Sequence, residues 1–128
     1  MLDDKLILFD GTAVLTATTS TVIDLVSATH NLGKLAHQAR IVLNVGTAWA
    51  NGTSAGTAST IELKSSTTGG GTFVTSPVYM SVSASAAVAG YSIFNVGIPT
   101  GLNRYIEILI TPAAAMTAGT VNGYIDVY

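Results

Sequence analysis

Apolar and polar residues alternate with a period of two in several parts of the chain. The clearest case follows a Pro/Gly/Asn turn at residues 99–103, where Ile106, Ile108 and Ile110 share one side of an extended segment. Such a pattern is typical of a strand with one face against a core. Similar alternation marks segments 40–45, 58–64, 77–83, 91–98 and 120–128.

The alternation also predicts which side chains face the core. Residues 13–17 and 21–25 are predicted to be two further short strands, whereas 26–38 fits either a helical turn or a loop and is left unassigned. Besides the three isoleucines above, the inward positions are Ile41, Leu43, Val45, Ile61, Leu63, Val78, Met80, Val82, Phe94, Val96, Ile98, Val121, Gly123, Ile125 and Val127.

The short spacing of about eight predicted strands favours an all-β fold without βαβ units. We expect a single domain over residues 1–128, built as a two-sheet antiparallel sandwich. Residues 1–10 are predicted to be an apolar N-terminal arm that ends in an Asp10–Gly11 turn. The arm either lies along a partner or packs on its own sheet.

Charge is scarce. Charged residues make up 9% of the 128 residues and hydrophobic residues 48%, compared with about 25% charged in an average soluble domain. Threonine alone outnumbers all charged residues together. Soluble sandwiches usually protect their edge strands with lysine, proline or bulges. Because lysine and arginine are scarce here and several predicted strands carry neither, we expect some edges or faces to be covered in an assembly.

The net charge of −2, with five Lys and Arg residues, provides no basic stripe for a phosphate backbone, so we expect no nucleic-acid partner. No apolar run reaches the roughly 18 residues of a membrane span, so we expect no membrane partner. The sequence has no cysteine, which excludes thiolate chemistry and fits synthesis in a reducing cytoplasm. The acidic start at Asp3 and Asp4 is unlike a signal peptide.

No catalytic or metal-binding motif stands out. His30 and His37 are the only histidines and lack the spacing of a zinc site. Asp3, Asp4 and Asp10 lack the regular spacing of a calcium loop. We therefore predict no catalytic, cofactor-binding or metal-binding residues and no cofactor.

Three aromatic residues are candidates for contact with a partner, since aromatic side chains carry much of the energy of interfaces. They are Trp49, Tyr91 and Tyr128. Trp49 has a second interpretation, in which it closes the end of the core, and both remain open from sequence.

Five segments, taken together in this order, resemble one protein family. They are 4–9 (DKLILF), 17–25 (ATTSTVIDL), 54–63 (SAGTASTIEL) with Ser65, Ser66 and Phe73 behind it, 103–106 (NRYI) and 117–121 (TAGTV). The sequence resembles the capsid cement, or decoration, proteins of short-tailed bacteriophages, of the Bordetella podophage type, over nearly its whole length. It departs from their pattern at 26–38 and in a longer loop at 65–71.

The resemblance implies a jelly-roll-like homodimer on the outer surface of the virion capsid. There it would bind the major capsid protein and clamp adjacent subunits near two-fold positions, without enzymatic activity or a cofactor. It provides no motif residues that can be assigned to binding. The alternative is a tail or fibre sandwich that binds a host receptor or carbohydrate, and an enzyme built on His30 or His37 ranks third.

Overall fold

The computed structural model of the protein describes residues 7–24, 39–50, 58–68, 70, 72–83, 86–97, 104–112 and 116–127. Within these residues the secondary structure consists of strands and no helices. The strands are β1 (Ile7–Ala13), β2 (Thr18–Thr19), β3 (Ile23–Asp24), β4 (Ala39–Val45), β5 (Ala58–Ser66), β6 (Val74–Ser83), β7 (Ser92–Gly97), β8 (Tyr105–Thr111) and β9 (Thr120–Val127).

The strands form two antiparallel sheets. One has the order β1-β9-β4-β7, and the other has the order β2-β8-β5-β6 with β3 also paired to β8. Since β2 and β3 follow each other along the same side of β8, they are two halves of one interrupted strand. Apart from this interruption and the β5–β6 hairpin, every connection crosses from one sheet to the other. This topology is that of a jelly roll, so the predicted fold class is confirmed.

Aliphatic side chains from both sheets fill the space between them. The alternation predicted for β8 is confirmed, because Ile106, Ile108 and Ile110 are completely buried while the residues between them are half-buried. The same holds for Ile61 and Leu63 of β5. The other large side chains that are almost completely buried are Leu8, Val14, Ile41, Leu43, Val121 and Ile125.

Of the predicted N-terminal arm, residues 7–10 belong to β1 at the edge of the four-stranded sheet, which corresponds to the alternative in which the arm packs on its own sheet. Residues 1–6 lie outside the described residues. Leu8 and Phe9 are both buried, although successive side chains of a regular strand point to opposite faces. The pairing with β9 has two irregularities, one between Ile7 and Phe9 and one between Phe9 and Thr12. Gly11 has a φ of 58° next to the second irregularity. The Asp10–Gly11 pair therefore marks a bulge within a strand instead of a turn.

At the opposite edge of this sheet, β7 follows the predicted alternation only in part. Val96 pairs with the buried Ile41, which places it on the inner face, yet it is well exposed because β7 has no outer neighbour. The side chain of Phe94 and the whole of Ile98 lie outside the described residues.

A bulge in β7 adds an inward residue that the alternation did not predict. Leu43 pairs with Phe94, and the next residue, Asn44, pairs with Ser92, so Ile93 is the extra residue of the bulge. Ile93 is buried in the core. One inserted residue thus shifts the inward positions at the start of the strand.

Hydrogen bonds join the two sheets on one side of the sandwich. The backbone N–H of Thr21, between β2 and β3, donates to the carbonyl of Leu8 in β1 (3.2 Å). The Thr21 hydroxyl donates to the carbonyl of Ile7 (2.6 Å). The side formed by β1, β2 and β3 is therefore closed by polar contacts, whereas β6 and β7 form the two edges of the other side.

Candidate interaction surfaces

Four crossing connections meet at one end of the sandwich. Backbone hydrogen bonds join them: Val14 donates to Gly119, Met116 to Leu15, Trp49 to Ala87 and Ala50 to Ala118. We name this surface the neutral end and define it by its described residues, 14–17, 46–50, 86–91, 112 and 116–119. None of these residues is charged, and the intervening sequence at 51–57, 84–85 and 113–115 contains no charged residue either.

Trp49 lies at the neutral end but is only 4% exposed. Its indole N–H donates to the carbonyl of Thr120 (3.1 Å), which satisfies the one polar group of a side chain that otherwise packs in the core. Gly119 lies directly against the ring, where a Cβ atom would be 2.7 Å from Trp49 Cδ1. This position corresponds to the interpretation in which Trp49 closes the end of the core, and it leaves a partner almost no contact area.

Tyr91 is the exposed aromatic candidate, with 37% of its surface accessible. Its backbone is fixed just before β7, since its N–H donates to Val88 (3.0 Å) and its carbonyl accepts from Val45 (2.9 Å). The structure therefore places Tyr91 and Trp49 on the same end of the sandwich but exposes only Tyr91. Tyr128, the third candidate, lies outside the described residues.

The sequence analysis did not identify two exposed aliphatic residues of the neutral end. Leu15 is 42% exposed and Val88 is 56% exposed. Val88 lies in a connection, where no alternation indicates which way a side chain points. Leu15 lies in the segment 13–17 that was predicted to be a strand, but β1 ends at Ala13 and residues 14–17 form a connection. The sequence contains one signal for this surface, which is the distribution of charge along the chain. No charged residue occurs from 41 to 61 or from 108 to 125.

The described charged residues lie away from the neutral end. Arg40 donates through its guanidinium to the side chain (2.7 Å) and carbonyl (2.6 Å) of Asn95, and Arg104 forms an ion pair with Asp24 (2.8 Å). Hydrogen bonding to Asp24 raises the pKa of Arg104 above its ordinary value. Arg104 also lies over the ring of Tyr105, 5.1 Å from its centroid. The other described charged residues are Asp10, Glu62, Lys64, Glu107 and Asp126.

Among the residues that the structure covers, no group of three His, Cys, Asp or Glu side chains is arranged to hold a metal ion. His30, His37, Asp3 and Asp4 lie outside those residues, and Asp10 is exposed on β1. The described part of the chain also has no helix of the length and hydrophobicity needed to span a membrane.

Neither a protein-family model nor a curated protein matches the sequence at a significant level.

Proposed function

We propose that the protein is a structural component of a bacteriophage head, which binds the outer surface of the capsid and cements adjacent major capsid protein subunits. In this role it works as a homodimer on the virion and needs no catalytic residues or cofactor. The resemblance of five sequence segments to capsid cement proteins points to this function, and the jelly roll agrees with the fold that the resemblance implies.

The structural observation that carries the proposal is the pair of uncharged edge strands. Among the described strands, β6 and β7 lie at the ends of their sheets, and neither the ten residues of β6 nor the six of β7 include a charged residue. Proteins that act alone usually protect such edges with charged side chains, proline or bulges. Here the protection is limited to Pro77 in β6 and one pairing irregularity at each strand. Edges without charge suit a protein whose surface is covered in an assembly, including by a second copy of itself.

A protein that cements a capsid needs a large contact area, and the surface of this protein can be desolvated at low cost. Specific interfaces bury more than about 1,000 Å² in total. Covering threonine, serine and alanine costs little side-chain entropy, and few charges need to be desolvated. A dimer that contacts two capsid subunits also gains effective concentration from its second contact, so each contact can be modest.

The test is co-sedimentation of the purified protein with mature heads of its source phage from which it has been stripped. Immature shells are the comparison. We expect binding that saturates at a fixed ratio to the major capsid protein on mature heads. Absence of binding to heads, with binding to tails or host cells instead, would contradict the proposal and favour a receptor-binding tail or fibre module.

A further inference from the structure

We infer that the neutral end is the surface that docks on the capsid, and that its partner there is an uncharged patch of the shell. This inference rests on the proposed function and adds to it which part of the molecule makes the contact.

The first step of the inference is the separation of charge along the sandwich. In the five-stranded sheet, Thr60 of β5 pairs with Thr111 of β8 next to the neutral end. Two residues further along β5 is Glu62, and Lys64 pairs with Glu107 two residues beyond that. In the other sheet, Arg40 pairs with Asp126 at the end of β4 farthest from the neutral end. Asp10 lies about halfway along β1, between Phe9 and Thr12, which pair with Gly123 and Val121. Charge thus begins in the middle of both sheets and continues to the end opposite the neutral end.

The second step is the nature of the exposed side chains at the neutral end. Apart from Leu15, Val88 and Tyr91, they are short and have little rotamer entropy to lose on binding. These exposed residues are Thr16, Ala17, Thr47, Ala48, Ala50, Ala86, Ala89 and Thr117. A surface of this kind can be covered by another protein without the desolvation of any charge.

The third step is that backbone hydrogen bonds hold the connections in place before any partner arrives. Ala50 donates to Ala118 (2.9 Å) and Thr117 donates to Ala50 (2.7 Å). Gly90 donates to Val45 (3.0 Å). A contact surface that is already ordered loses less conformational entropy on binding than a loop that must fold.

The chemistry of the partner follows from the missing charges. A lysine or glutamate of the shell buried against the neutral end would lose its hydration and find no opposite charge, which is strongly unfavourable. The matching patch of the shell is therefore uncharged. Two other exposed aliphatic residues lie close to charged residues. Val22 is two residues from Asp24, and Val74 pairs with Ser65, which is next to Lys64.

The experiment compares two substitutions at the neutral end with one control outside it and outside the edge strands β6 and β7. Leu15→Lys is matched to the control Val22→Lys, at 42% and 41% exposure. Val88→Lys is the second substitution at the neutral end, at a side chain that is 56% exposed. All three side chains are exposed, so circular dichroism and thermal unfolding should match the wild type. The affinity of each full-length variant for stripped heads is measured by co-sedimentation at low and high salt.

We expect Val88→Lys and Leu15→Lys to weaken binding by a factor of about ten or more, because each buries an unpaired charge. The control Val22→Lys should bind like the wild type. Wild-type affinity should change by less than about twofold between the two salt concentrations, since no charges pair across the contact.

Three outcomes would overturn the inference while the proposed function stands. The first is weakened binding of the control Val22→Lys with normal binding of the neutral-end variants. The second is a wild-type affinity that falls steeply with salt. The third is conversion of a dimer to a monomer by Val88→Lys or Leu15→Lys, which would make the neutral end a contact between copies. If the wild-type protein itself fails to bind heads, the proposed function fails, and the inference fails with it.

Discussion

The hydroxyl oxygen of Ser20 accepts a hydrogen bond from the backbone N–H of Ile108 at 2.8 Å, in the place of a backbone carbonyl. The backbone N–H of Ser20 in turn donates to the carbonyl of Ile108, also at 2.8 Å. This exchange bridges the gap between β2 and β3, so the ladder on β8 continues where the strand itself is interrupted. The hydroxyl proton is used as well, in a bond to the carbonyl of Thr21 (2.8 Å).

Replacing Ser20 by alanine should destabilise the protein by about 1–3 kcal/mol, because the buried N–H of Ile108 loses its acceptor. Urea unfolding at constant m-value measures this change. Ser59→Ala is the matched control: the Ser59 hydroxyl is also buried but has no hydrogen-bond partner. The control should be as stable as the wild type or slightly more stable. An equal loss in both variants would show that the Ser20 hydroxyl does not support the ladder.

Gly119→Ala should reduce stability by about 1–3 kcal/mol for two reasons. Gly119 has a φ of 145°, which other residues rarely adopt, and its new Cβ would contact Trp49 at 2.7 Å. Gly70→Ala serves as the control, because a Cβ there meets no atom within 4 Å. Thermal unfolding of both variants measures the difference. A Gly119→Ala protein with wild-type stability would mean that the indole does not pack against this glycine.

Truncation of the two described aromatic candidates should have opposite effects. Trp49→Ala should lower stability by about 3–5 kcal/mol, as expected for a buried tryptophan. Tyr91→Ala should leave stability nearly unchanged, since its side chain is partly in water, and should weaken binding to heads. Chemical unfolding and head binding are measured for both variants. A Trp49→Ala protein that is stable but fails to bind would support the anchor interpretation instead of the core interpretation.

The Asp24–Arg104 ion pair should contribute little to the free energy of unfolding, because it is exposed to solvent. Its contribution should decrease further as the salt concentration increases. Arg104→Gln is therefore expected to shift thermal unfolding much less than Ser20→Ala does. The folded-state pKa of Arg104 is raised, so its contribution is complete below its ordinary pKa and is lost only as pH rises through the raised value. Arg104 should therefore cause no change in the free energy of unfolding with pH near neutrality. A strong pH dependence near neutrality that Arg104→Gln removes would contradict this.

Regular strands with one buried face were predictable from the sequence. Along β8 and β5 the aliphatic residues alternate with polar or amphipathic ones, and each inward position predicted there is buried. The prediction failed where the backbone departs from a regular strand. The apolar run at Ile7, Leu8 and Phe9 has no alternation, and the extra residue Ile93 shifts the start of β7.

The candidate surface was less predictable than the fold. Composition showed that charge is scarce, but only the topology brings four uncharged connections to one end. Aromatic residues were natural candidates for contact, yet aromaticity does not distinguish Trp49 in the core from Tyr91 at the surface. Leu15 and Val88 escaped notice because the exposure of a side chain in a connection depends on tertiary packing and not on sequence period.

Cementing of the capsid is tested most directly by heating stripped phage heads with and without the added protein and measuring the temperature at which they release their DNA. If the protein clamps adjacent capsid subunits, this temperature should rise with the amount of protein bound and stop rising at saturation. Leu15→Lys at the same concentration should give a smaller rise than Val22→Lys. Heads that bind the protein to saturation and still release their DNA at the unprotected temperature would contradict the cement function.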